Sequence, residues 1–109
     1  MPHDYTHIAS LTDRLPEIPA DSIVSHSLYT GDDVKVTLFG FAPGQELSEH
    51  TAAQPAILHF LQGEADLTLG ADRFKARAGT WARMPPHLPH SIKARTPLIM
   101  LLLLLKASD

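Results

Sequence analysis

The chain of 109 residues suits one domain with a single core, at the small end of the range, where pairing with a second copy adds burial. Nine Lys and Arg against twelve Asp and Glu give a net charge near −3 with no run of basic residues, so nucleic acid is not an expected partner. The absence of cysteine excludes disulfides, thiolate ligands and Cys nucleophiles, and the opening MPHDYTHIAS lacks the apolar stretch of a signal peptide, so a cytoplasmic location is expected.

Residues 1–20 carry Pro2, Pro16 and Pro19 and little periodicity, with LTDRL enough for one helical turn. They are expected to form an arm lying across the domain of residues 21–109 or onto a partner. His3, His7 and His26 have no motif around them and are expected at the surface. Segments 22–30 and 33–42 flank the turn signal Gly31-Asp32-Asp33, and Val34, Val36 and Leu38 alternate with Lys35 and Thr37, a hairpin pattern. Pro43-Gly44-Gln45 breaks the chain, 56–63 is an apolar segment, and 65–69 alternates up to a turn at 70–73. RFKARAG, TWARMP and HSIKAR continue the series of short strands.

The last segment, LIMLLLLLK (98–106), has eight apolar residues, far below the roughly 20 of a membrane-spanning helix. Pro97 opens it and no polar helical face interrupts it, so a central strand buried on both faces is expected, and no membrane partner. No long amphipathic helix, repeat or linker follows residue 20. The fold class is therefore all-β and antiparallel, a sandwich or barrel with little helix. GxSxG, P-loop, HExxH and GxGxxG are absent, Ser91 beside His90 has no third group to orient it, and Glu64 with Asp66 reads as a wet strand face.

Two stretches resemble the cupin family. Gly44, His50, Ala52, Ala56 and Gly63 follow the spacing of the first cupin motif, in which a Gly leads to two His, a Glu and a closing Gly. Gly79, Pro85, His87, His90 and Ala94 follow the second, in which a Gly leads to Pro, Gly, His and Asn. The resemblance spans about residues 30–106 and implies a jelly-roll β-barrel whose interior holds the family's metal and substrate. The ligand pattern is incomplete. Ala52, Ala56 and Ala94 replace His, Glu and Asn, and His87 replaces a glycine, so only His50 and His90 carry over as metal ligands.

Two imidazoles make a weak site for one divalent transition metal such as Zn, Ni, Fe or Mn, which usually takes three or four protein ligands. Additional donors to weigh are His87, Gln54 and His59. If Ala56 points inward, Leu58 and Phe60 follow it and His59 faces the other way, toward a partner subunit. Ala52, Ala56, Leu58, Phe60, Ala82 and Met84 are the expected cavity lining, and Trp81 is out of phase with them, at the mouth or between subunits. A stand-alone cupin binding a small molecule through His50 and His90 is the leading expectation. The alternative is a metal-dependent cupin enzyme, dioxygenase-like or isomerase-like, with a non-motif third ligand. A homodimer is expected from the small core and from Ile57, His59 and Leu61 on the second face of their strand.

Overall fold

The computed structural model describes residues 4–15 and 17–107. Among these, nine strands form two antiparallel sheets: β1 (Ile23–Thr30), β2 (Val34–Phe41), β3 (Glu46–His50), β4 (Ala56–Gln62), β5 (Glu64–Leu69), β6 (Asp72–Arg77), β7 (Trp81–Met84), β8 (His90–Ala94) and β9 (Leu98–Leu105). The first sheet has the order β1-β2-β9-β4-β7 and the second β3-β8-β5-β6. The only helical element among the described residues is a 3₁₀ turn, Thr12–Arg14, within the LTDRL stretch. This is the jelly roll expected from the sequence. No helix of the described residues is long and apolar enough to cross a membrane.

The chain passes between the sheets at one end through residues 42–45, Gly63, 78–80 and 95–97, so β2 stands opposite β3, β9 opposite β8, β4 opposite β5 and β7 opposite β6. We call this the closed end. The other end, the mouth, is built from the β1–β2 turn, the β5–β6 turn and the loops 51–55 and 85–89. Gly63 shows how tight the closed end is. Its φ is +91°, and a Cβ there would run into the Pro97 carbonyl, so only glycine fits. Beside it, the Glu64 N–H donates to Thr96 Oγ1 at 2.9 Å and Arg95 N–H to the Glu64 carbonyl at 2.9 Å.

Strand period two fills the space between the sheets. Phe41, Leu58, Phe60, Leu67, Met84, Ile92, Leu98 and Met100 are buried in one cluster. Each large side chain buried this way contributes about 1.5–3 kcal/mol. β4 reads buried on Ala56, Leu58 and Phe60 and half-buried on Ile57, His59 and Leu61.

Three features differ from the sequence reading. Strand β3 arises from ELSEH, which has one apolar residue and so carries no alternation to recognise. β9 is central, between β2 and β4, but only Leu98 and Met100 are fully buried; Ile99, Leu101, Leu103 and Leu105 lie half-buried on the outer face. In β2 the apolar alternation faces outward. Lys35, Thr37, Phe39 and Phe41 pair with Leu104, Leu102, Met100 and Leu98 on the barrel side, whereas Val34, Val36 and Leu38 lie on the outside. Leu38 is nevertheless fully buried, apart from the barrel core. The N-terminal arm covers this side: Leu15 and Ile18 occupy the space a side chain at Gly40 would take, and Ile8 and Leu11 share a hollow with Leu28 and Val36. His7 and His26 are exposed, and His3 lies outside the described residues.

Candidate functional site at the barrel mouth

His50 ends β3 and His90 begins β8, and antiparallel pairing sets them directly opposite each other at the mouth. Their ring centroids are 4.1 Å apart, tilted by 57°. The rings are held in the same way. His50 Nδ1 lies 2.9 Å from the Ser48 carbonyl, and His90 Nδ1 lies 2.9 Å from the Leu88 carbonyl. A carbonyl oxygen only accepts, so each Nδ1 is the donor, and in the neutral imidazole this leaves Nε2 as the acceptor atom.

The two rings differ in exposure. His50 is exposed, whereas His90 is 6 % exposed, next to Leu69 on β5. Burial pushes the His90 pKa down, the Leu88 carbonyl opposes this, and His50 adds to the depression by like-charge repulsion. His90 is thereby held neutral, the form that accepts a hydrogen bond or binds a metal.

The remaining residues singled out in the sequence take different places. His59 pairs with Trp81 and Leu101 on the outer face of the first sheet, away from the His pair. Trp81, 57 % exposed, is therefore an outer-face residue and does not close the mouth. His87 is exposed at φ +68°, and its backbone N–H ties the two mouth loops together by donating to the Ala52 carbonyl at 2.7 Å. Gln54 is exposed on loop 51–55. Ala56 and Met84 are buried cross-strand neighbours at the mouth, Ala52 and Ala82 are half-buried, and Leu58 and Phe60 are core side chains below them.

Among the described residues no cluster of three His, Asp or Glu could hold a metal ion. The donor chemistry of His50 and His90 suits a divalent metal, but two imidazoles fall short of the usual three or four ligands, so the residues present do not make a full metal centre. Asp66 is no acid–base group either. It forms an ion pair with Arg95 on the outer face of the second sheet. The Arg95 hydrogen bond and charge, with Lys75 and Lys93, hold its carboxyl below the usual range despite partial desolvation.

Two sheets closed into a barrel, with a histidine pair at the open end and tight glycine turns at the other, define the class of small jelly-roll domains. The chain belongs to the cupin family: the family model described as Cupin domain matches residues 37–104, more than half of its length. Among solved structures it is similar to a cupin superfamily protein from Desulfitobacterium hafniense, with 28 % identity over 83 % of each chain and a TM-score of 0.78. A conserved protein of unknown function from Streptococcus pyogenes shares 26 % identity over 98 % of this chain and 93 % of its own, with a TM-score of 0.83. A Cupin 2 conserved barrel domain protein from Leptotrichia buccalis is 30 % identical over 88 % of this chain and 46 % of its own, with a TM-score of 0.80. Comparison with curated proteins gave no match.

Proposed function

We propose that this cupin binds a small molecule at the barrel mouth, with His50 and His90 as its polar anchors. The observation that carries the reading is the shared restraint of the two rings. Each Nδ1 is committed to a backbone carbonyl, so each Nε2 is left to accept from a ligand. Two adjacent acceptors favour a ligand that donates through hydroxyl or amide groups. Ala52 and Leu88, half-buried on the two mouth loops, offer its remainder apolar contacts.

A metal-assisted reading draws on the same free Nε2 atoms, with a divalent ion weakly held and its coordination completed from outside the protein. Among the described residues no third protein ligand joins the pair. Thermal-shift screening of tag-free protein against hydroxylated metabolites and, separately, Zn, Ni, Mn and Fe(II) tests both. A stabilising compound should lose its effect in His50→Ala and His90→Ala. Equal stabilisation of wild type and both variants would sink the proposal.

We also propose a homodimer. The outer face of the first sheet carries Ile57, His59, Leu101, Leu103 and Trp81 in adjoining cross-strand rows, a contiguous apolar surface suited to a second copy. Sedimentation equilibrium at tens of micromolar should give twice the chain mass, and Leu103→Glu should return the monomer. A monomer mass for the wild type ends this part of the proposal.

A further inference from the structure

We infer that the hollow between the N-terminal arm and the β1–β2 hairpin binds a methylated organic ammonium ion, with Tyr5 and Tyr29 supplying aromatic faces and Asp4 and Asp33 the opposing charge. The hollow shares no lining residue with the histidine pair, so the inference does not depend on the binding role proposed for the mouth.

The hairpin and the arm build the hollow together. Between Ser27 and Tyr29 the register of β1 against β2 slips by one, so β1 carries an extra residue there. Strict alternation would send Leu28 and Tyr29 to opposite faces; with the extra residue both line the hollow, beside Val36. Half-buried Ile8, Leu11, Leu28 and Val36 form its floor, and exposed Asp4, Tyr5, Tyr29 and Asp33 its rim. The enclosed volume of about 420 Å³ suits a small organic molecule. Gly31 keeps the rim tight. A Cβ there would lie 2.7 Å from the Tyr29 ring and hydroxyl and 3.0 Å from Asp33 Oδ1, so the phenol and the carboxylate converge over a residue with no side chain between them. Two backbone bonds hold this turn: Gly31 N–H donates to the Val34 carbonyl at 3.0 Å and Lys106 N–H to the Asp33 carbonyl at 2.9 Å.

The lining selects a cation. The chain has two tyrosines, and both line this hollow, Tyr5 at 88 % and Tyr29 at 40 % exposure. The charged residues of the lining are both aspartates, and neither forms an ion pair among the described residues. An anion would meet two like charges, and a neutral molecule would leave both carboxylates unmatched. A cation is attracted by each carboxylate and by the negative face of each ring. A bare ammonium group holds its water too strongly to gain from the apolar floor, whereas methyl groups on the nitrogen bring apolar surface that the floor can bury.

Choline is a suitable probe, with 3,3-dimethyl-1-butanol, in which carbon replaces the charged nitrogen, as its uncharged counterpart and ethanolamine as its unmethylated one. Because both tyrosines line the hollow, ¹H–¹³C spectra of tyrosine-labelled protein report on this site alone. Choline should shift both ring signals saturably, and the alcohol and ethanolamine should each bind about ten-fold more weakly. Asp33→Asn and Tyr29→Leu should each weaken choline about ten-fold. Both residues are exposed, so the variants are expected to fold, and circular dichroism checks this. Equal binding of choline and the alcohol, or unchanged choline affinity in Asp33→Asn, overturns the recognition of charge. Ethanolamine bound as tightly as choline overturns the methylated class. Shifts in neither ring with choline end the inference and leave the His-pair reading of the mouth standing.

Discussion

The two ends of the barrel are built under opposite constraints. At the closed end, Gly63 leaves no room for a side chain, and the crossing loop 42–45 is tied to the end of β8: Gly44 N–H donates to the Ala94 carbonyl at 2.9 Å and Ala94 N–H to the Gln45 carbonyl at 2.9 Å. At the mouth, four prolines, Pro55, Pro85, Pro86 and Pro89, remove donors from the two loops. Those loops are joined through the His87–Ala52 backbone bond. The side chains there are small, as at Ala52, Ala53 and Ala56, or polar, as at His50, His87 and His90. Stability is concentrated where the chain crosses between sheets, and chemical variety is concentrated where it need not be tight.

Substitution should expose that contrast most strongly at Gly63. Gly63→Ala forces a Cβ toward the Pro97 carbonyl at φ +91° and should cost about 3 kcal/mol or more, measured by urea unfolding. Gly79 is a fitting control. It also has positive φ, +95°, but no atom lies within 4 Å of the position its Cβ would take, so Gly79→Ala should cost only about 1 kcal/mol of backbone strain. Equal costs at the two sites would show that backbone strain, and not the packing of the crossing, sets the rigidity of the closed end.

The mouth should instead accept new chemistry at a moderate cost. Ala52→His with Ala56→Glu supplies the donors that the cupin pattern has at these positions and this chain lacks. In the absence of metal the variant should lose about 2 kcal/mol, because Ala56 is 2 % exposed and a carboxylate there is poorly solvated. Zinc should then raise its melting temperature more than that of the wild type, which offers two imidazoles. A zinc response no larger than that of the wild type would mean the mouth geometry no longer supports the four-ligand set.

The same contrast explains what the sequence disclosed. Gly44 and Gly63 are fixed in spacing by the turns they serve, so the closed end was legible, and the period-two burial of β4 correctly turned His59 away from His50. The His pair followed from the spacing of two motifs 40 residues apart, since His50 and His90 meet only through β3–β8 pairing. The facing of β2 was hidden by a rule that usually works: Val34, Val36 and Leu38 look like a core face and are one, but the core they enter lies under the N-terminal arm. That arm has too little periodicity to announce its docking site. Strand β3 was hidden because ELSEH, exposed on both sides except at Leu47, is held by pairing with β8 and not by burial of its own apolar face.

The smallest expected effect separates the ends by pH. His90 ionises less readily in the fold than in the unfolded chain, chiefly through burial. As pH falls through the ordinary histidine value of about 6.5, the unfolded chain takes up a proton that the folded chain resists, so stability declines. Below the depressed folded value both states are protonated and the decline from this residue stops. Asp66 shifts in the same direction but from a different cause and in a lower range: Arg95 holds it ionised, so its contribution is present above the unfolded carboxylate value, about 3.9, and is lost at lower pH. The window between about pH 7.5 and 5.5 therefore isolates the mouth. Melting temperature should fall across it in the wild type and fall less in His90→Gln, with Asp66→Asn behaving like the wild type. An unchanged slope in His90→Gln would assign the acid sensitivity to another histidine and remove the buried, neutral imidazole from the account of the mouth.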